Sequence, residues 1–119
     1  MTTEQIANRL YELCNKCDFE QAQRELFAMD AVSIEPQESA GFEKETKGLE
    51  AILEKGKKFN SIVEQTHSCQ VSEPIIAGNA FAVSLYMDVT MKNGNRTPMS
   101  ELCVYEVRDG KIISERFFM

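Results

Sequence analysis

The sequence has no long apolar run. Across its 119 residues no stretch approaches the ~20 apolar residues that a spanning helix needs, and the Met-Thr-Thr-Glu-Gln start has neither a basic region nor an apolar segment of signal-peptide length. These absences point to a cytoplasmic chain with no membrane partner. Basic charge is also in short supply. Thirteen Lys and Arg stand against 19 Asp and Glu, a formal net charge of −6, and a field of that sign repels phosphate backbones and anionic lipid. Nucleic acid is therefore disfavoured as a partner. Lys55, Lys57 and Lys58 form the only basic cluster, and their spacing reads as the wet side of a helix.

A second cysteine pair is missing as well. Cys14 and Cys17 make one C-x-x-C, but Cys69 and Cys103 stand far apart on separate predicted strands, so the spacing of a structural zinc site is not met. A redox pair follows a strand and opens a helix, whereas this pair closes one. In the cytoplasm all four thiols are expected to be reduced, with structural roles. The chain also lacks a glycine-rich phosphate loop, a nucleophile elbow, a zincin motif and a dinucleotide fingerprint. No metal and no cofactor are expected. There is no repeat, low-complexity tract or linker, and 27 % charged with 43 % hydrophobic residues is ordinary for a globular chain. Residues 1–119 read as one domain, able to bury roughly two-thirds of the surface of its unfolded chain in a single core.

What is present is a clear order of elements. Thr2 with Gln5 resembles a capping box, and Ile6, Leu10, Leu13, Cys14 and Cys17 share one face of a helix running from Thr3 to Lys16. Asp18 and Gln21 repeat the device for a short helix carrying Phe19, Ala22, Leu26 and Phe27. Ala31 to Glu35, with Val32 and Ile34 at period two, predicts a strand stopped by Pro36; Gln37 to Gly41 reads as a polar loop and Phe42 to Thr46 as an exposed strand. After Gly48, residues Leu49, Ile52, Leu53, Gly56, Phe59, Ile62 and Val63 keep helical spacing, with Gly56 expected where another backbone packs closely. Thr66 to Ile76 predicts a strand in which Pro74 requires a bulge or an edge.

The last third, Asn79 to Met119, reads as a three-stranded meander. Its strands alternate through Phe81 to Val89, Glu101 to Val107 and Lys111 to Met119, and the Asn93-Gly94 and Asp109-Gly110 dipeptides between them suit tight hairpins. The whole is α+β, with helices gathered on one face of an antiparallel sheet.

At this point the chain resembles the nuclear transport factor 2-like superfamily, in particular its small SnoaL-like proteins. The resemblance covers nearly the full length. It is carried by the Cys-Asp-Phe corner and Leu26 to Pro36, by Gly48 to Ile52, by Phe81 to Val83 and by Val104 to Phe118. It implies a cone: a curved antiparallel or mixed sheet wrapped around the N-terminal helices, with a pocket at the open end. It further implies a cofactor-independent lyase or isomerase moving protons on an apolar or polyketide-like compound, or a non-catalytic ligand-binding or dimerisation module, and a homodimer formed through the sheet. No motif here reproduces the full catalytic set of the family's isomerases or dehydratases, and fold alone does not fix function.

Candidate chemistry follows from a register set by two-residue turns. With Asn93-Gly94 central, Tyr86 lies opposite Glu101 and Ala82 opposite Tyr105; with Asp109-Gly110 central, Val104 lies opposite Glu115 and Cys103 opposite Arg116. One face then carries Val83, Leu85, Met87, Leu102, Val104, Ile113, Glu115 and Phe117, and its apolar character places it against the helices. Glu115 is the anomaly there: either a carboxylate whose pKa burial raises for acid or base work, or one that reaches solvent or pairs with a helix cation. The other face carries Tyr86, Asp88, Glu101, Cys103, Tyr105 and Arg116. His67, the only histidine, is placed near Asp88 and Glu101, the composition of an acid/base group; a dimer interface or solvated wall accounts for the same residues, and a bulge at Pro74 would reverse the facing of His67. Glu35, Tyr86 and Tyr105 are rim or pocket candidates. Phe59, Met87 and Phe117 either line a pocket or close it.

Overall fold

The computed structural model describes residues 1–39 and 41–119; the Ala40 part of the expected Gln37 to Gly41 loop lies outside the described residues. The chain runs α1 (Thr3–Cys14), α2 (Phe19–Leu26), β1 (Phe27–Ile34), β2 (Glu45–Lys47), α3 (Leu49–Ile62), β3 (Val63–Val71), β4 (Ile75–Ala77), β5 (Ala80–Met91), β6 (Arg96–Arg108) and β7 (Lys111–Phe118). The fold is α+β. Its sheet has the order β2-β1-β7-β6-β5-β3, with β4 added to β5, and it is mixed because β1 runs parallel to β7.

Local chemistry sets the helix ends. Thr2 closes a full capping box with Gln5: the Thr2 hydroxyl accepts from the Gln5 amide at 3.1 Å, and the Gln5 side chain accepts from the Thr2 amide at 2.8 Å. The second expected box does not form. Asp18 makes no side-chain cap, and Gln21 donates instead to Glu25. Helix α1 stops at Cys14, two residues before the expected end; Cys17 adopts the left-handed region at φ 60° and the Asp18 amide donates back to the Leu13 carbonyl at 2.9 Å. That turn makes the corner between α1 and α2.

The corner also corrects the expectation that all cysteines are reduced thiols. Cys17 is joined by a disulfide to Cys69, with a Cα–Cα distance of 5.6 Å, while Cys14 and Cys103 are free and buried. The C-x-x-C spacing is thus not a pair: Cys14 faces the core, and Cys17 reaches across to β3. Asn15 reinforces the same junction, its side chain accepting from the Val71 amide at 2.9 Å.

The core lies between the helices and the concave side of the sheet. Ile6, Ala7, Leu10 and Leu13 of α1, Leu26 of α2 and Leu49, Ile52 and Leu53 of α3 meet Phe81, Val83, Cys103, Tyr105, Val107 and Ile112. Gly56 departs from expectation: a Cβ there would meet nothing within 4 Å, so no backbone packs against it. On β1 the buried parity is also the reverse of the one expected. Ala31 and Ser33 are fully buried, whereas Val32 and Ile34 are only half-buried.

Three irregularities fix which residues face inward. The β5–β6 hairpin has a three-residue loop: Met91 and Asn95 pair through a 2.8 Å bond from the Met91 amide, the Gly94 amide donates to the Met91 carbonyl, and Gly94 takes φ 91°. Leu85 therefore lies opposite Glu101 and Phe81 opposite Tyr105, one residue away from the register of a two-residue turn. On β7, Glu106 pairs with Ser114 but Val107 with Ile112, which leaves Ile113 as an extra residue. Finally, Val71 pairs with Leu85 and Ile75 with Ala82, four residues against three, so a residue is gained across the Ser72–Pro74 break. No helix among the described residues is long and apolar enough to cross a membrane.

Candidate active site

The corrected register brings Glu101, Cys103 and Tyr105 to successive inward positions of β6, where the two-residue turn would have put them outside. Tyr105 pairs with Glu115 and Cys103 with Phe117, so the inward residues of β6 and β7 form one surface. Glu115 is 4 % exposed and Ser33, on the adjacent parallel strand, 0 %.

These two residues begin a continuous polar chain. The Ser33 hydroxyl donates to Glu115 Oε1 at 2.7 Å, and its oxygen accepts from Lys55 Nζ at 2.7 Å. Lys55 also donates to Glu35 Oε1 at 3.1 Å, and its ammonium stands 5.7 Å from the centroid of the Phe117 ring. Lys55 and Glu35 are only 17 % and 26 % exposed at their side chains, so the pair is partly desolvated and more strongly coupled than a surface ion pair. Among the described residues no buried side-chain nitrogen or oxygen is left without a partner.

Electrostatics single out two carboxyls. Burial pushes the Glu115 carboxyl up to about 7, against the hydrogen bond from Ser33 and the charge of Lys55, which favour ionisation. Glu101 is also pushed up to about 7, first by burial and then by the nearby charges of Glu35 and Glu115; Lys55 and a long 3.9 Å contact from the Cys103 thiol oppose this. Cys14 is raised to about 12 and Cys103 is raised further, chiefly by burial, so both thiols stay protonated. The phenol of Tyr105 is likewise raised well above its ordinary value by burial, and its ring stacks on Phe81 at 4.8 Å between centroids.

Glu101 is half-buried and so the more open of the two carboxyls. A shallow depression of about 310 Å³ lies where β7 ends on the outer face of the sheet, among Ser84, Tyr86, Ser100, Leu102 and Phe118, on the opposite side from the inward carboxyls. Of the residues that could line or close a pocket, Met87 faces inward from β5, and Phe59, Met87 and Phe117 are all half-buried, with Phe117 packed on the core. Tyr86 lies opposite Ser100 on the outer face.

The expected grouping of His67, Asp88 and Glu101 is not assembled. His67 is the extra residue where Thr66 pairs with Val89 and Ser68 with Asp88. It is exposed, and its Nε2 bonds Thr90 Oγ1 at 2.7 Å rather than a carboxylate. Asp88 is held by Arg96 through two bonds of 3.1 and 2.7 Å, which keep its carboxyl below the ordinary value. Glu101 is on the opposite face of the sheet from Asp88. The physical cause is the register: one residue of loop length separates these carboxylates and joins Glu101 to Glu115 instead.

Two members of the cluster, Ser33 and Lys55, were not among the expected site residues. Lys55 had a signal: it follows Ile52 by three and precedes Phe59 by four, so it belongs to the apolar stripe rather than to the wet side with Lys57 and Lys58. Among the described residues no group of three or more His, Cys, Asp or Glu is arranged to hold a metal ion.

Known proteins share this architecture. A family model described as a SnoaL-like domain matches residues 1–119. A Mesorhizobium loti structure, provisionally designated a SnoaL-like polyketide cyclase with carbohydrate phosphatase in the same designation, is 32 % identical; the match covers 100 % of both chains with a TM-score of 0.92. A Streptomyces antibioticus protein provisionally designated a polyketide cyclase is 22 % identical over 99 % of this chain and 91 % of its own, with a TM-score of 0.73. A Xanthomonas campestris protein of unknown function with a cystatin-like fold is 18 % identical over 99 % and 90 %, with a TM-score of 0.81. No curated protein matches the chain. With the family model matched from first residue to last and a full-length relative at 32 % identity, the chain belongs to the SnoaL-like domain family.

Proposed function

We infer that this protein is a cofactor-independent lyase or isomerase that moves a proton on an apolar or polyketide-like compound. The observation that carries the reading is the placement of two carboxyls, Glu101 and Glu115, on one inward surface, with Ser33 bonded to Glu115 and Lys55 to Ser33; burial pushes both up to about 7. A carboxyl with a pKa of about 7 is half ionised at working pH and so can both take and return a proton, where an ordinary glutamate is a weak base. The provisional designation of the 32 % identical relative as a polyketide cyclase supports the substrate class. In this reading Glu101 and Glu115 are the proton-transfer groups, Tyr105, Phe117, Met87 and Phe59 shape the pocket, and Glu35 with Lys55 forms the rim.

A homodimer through the outer sheet face belongs to the same proposal, whereas the Cys17–Cys69 disulfide weighs against the cytoplasmic setting expected from the sequence. Leu102 and Phe118, paired across β6 and β7, are 44 % and 48 % exposed, and apolar surface of that kind suits a partner surface. The same patch favours the second reading, a dimerisation or ligand-binding module without turnover.

A panel of aromatic and polyketide-like carbonyl compounds, scored by thermal shift and then by exchange of substrate C–H for deuterium, tests the choice. The catalytic reading expects binding by the native chain and exchange that falls at least about 100-fold in Glu115→Gln. Binding without exchange would move the protein to the second reading, and a panel with no ligand at all would count against both pocket readings.

A further inference from the structure

The two carboxyls of the proposed site are not equivalent in their surroundings, and the difference lies in bonded geometry. Glu115 accepts a 2.7 Å bond from Ser33, whose own oxygen accepts a 2.7 Å bond from the Lys55 ammonium. The serine hydroxyl has one proton, and with the ammonium occupying its oxygen that proton is directed at Glu115. An ionised carboxylate is the best acceptor for such a charge-assisted bond. Glu101 has nothing comparable: its side-chain partner is the Cys103 thiol at 3.9 Å, a weak donor.

We propose that Lys55, acting through Ser33, is a positioning residue that keeps Glu115 the ionised member of the pair and leaves the proton on Glu101. The assignment rests on the proton-transfer reading for its functional meaning and gives that reading a direction. Glu115 takes the proton from a substrate carbon next to a carbonyl, becoming a carboxylic acid while the C–H electron pair remains on the substrate as an enolate. The Glu101 acid then delivers its proton to that enolate and becomes the carboxylate. One proton leaves the substrate and one returns, and exchange with water resets the pair. The compound taken is accordingly a neutral carbonyl, because an anion would enter a wall that presents two carboxylates, Glu35 and Glu115, and the Glu101 acid against the one ammonium of Lys55.

The groups facing Glu115 are Ser33 and Glu35 from the β1 side, Lys55 from α3, Tyr105, Cys103 and Glu101 from β6, and Cys14 from α1. Only Lys55 is a cation. The two cysteines and the tyrosine are held neutral by burial, so nothing else on these elements can substitute for it in favouring the Glu115 anion.

Carboxyl 13C titration of the full chain, with Glu101 and Glu115 assigned, tests the proposal without a substrate. In the native protein Glu115 is expected to ionise at lower pH than Glu101. Lys55→Met is expected to raise the Glu115 midpoint by about 1 unit or more and to reverse the order, whereas Lys55→Arg keeps it. Ser33→Ala retains the Lys55–Glu35 pair and is expected to reverse the order as well, which covers the case of a Lys55→Met chain that does not fold. The proposal is overturned if Glu101 ionises first in the native protein, or if the native order survives in Ser33→Ala. Intact ordering with no ligand in the thermal-shift panel removes the functional reading and leaves this assignment standing; lost ordering with ligand binding retained removes this assignment alone.

Discussion

Ser33 donates a 2.7 Å hydrogen bond to Glu115, joining two neighbouring parallel strands across 82 residues of sequence. Both side chains are buried, and the bond sits between the α3 cation and the inward face of the meander. Deleting the hydroxyl leaves a buried carboxyl without its donor and Lys55 without one acceptor. Ser33→Ala is therefore expected to destabilise the fold by about 1–3 kcal/mol, read as a lower denaturation midpoint with an unchanged m-value.

The raised carboxyls make stability depend on pH with a definite sign. Glu115 has an ordinary value of 4.5 and a folded value of about 7, so between these the folded chain binds more protons than the unfolded chain. The contribution is fully present below about pH 4.5 and is lost as pH rises through 7, on the order of 3 kcal/mol for this group. Chemical denaturation at pH 5 and pH 8.5 checks it. Glu115→Gln should flatten the dependence and be at least as stable as the native chain at pH 8.5, since the amide oxygen still accepts from Ser33.

Reduction offers a third test. The Cys17–Cys69 disulfide closes a separation of 52 residues, and by the chain-entropy estimate such a loop contributes roughly 4 kcal/mol. Dithiothreitol or Cys17→Ser should lower the melting temperature by roughly 15 °C. An unchanged melting temperature in oxidised and reduced protein would show that the link contributes nothing to the fold.

Gly56 lies in α3 with open space where a side chain would begin. Ala there adds helix propensity without a clash, and Gly56→Ala should stabilise the chain by about 0.5–1 kcal/mol. A destabilised variant would mean that the space is not free in solution.

The fold was largely legible in the sequence because its determinants are local. Helical spacing in Ile6 to Leu13 and Leu49 to Phe59, the Thr2–Gln5 box and the alternation of Phe81 to Val89 each act over a few residues. The site depends on facing, and facing depends on loop length to one residue. Asn93-Gly94 suits a two-residue loop, yet it is equally the end of the three-residue loop observed, with Gly94 in the left-handed region. That single residue moved Glu101, Cys103 and Tyr105 from the outer face to the inner one. The extra Ile113 on β7 and the extra His67 on β3 have no distinctive residue to announce them. Ser33 was hidden by its more apolar neighbours Val32 and Ile34, and Lys55 by the lysines beside it.

Two glutamates pushed up toward neutrality on one inward surface carry the proposed chemistry. Carboxyl 13C chemical shifts of Glu101 and Glu115, followed from pH 3 to 10 in the native chain, measure this directly. Midpoints of about 7 are expected for both, with that of Glu115 the lower of the two; midpoints for both near the ordinary glutamate value of 4.5 would contradict the proton-transfer reading.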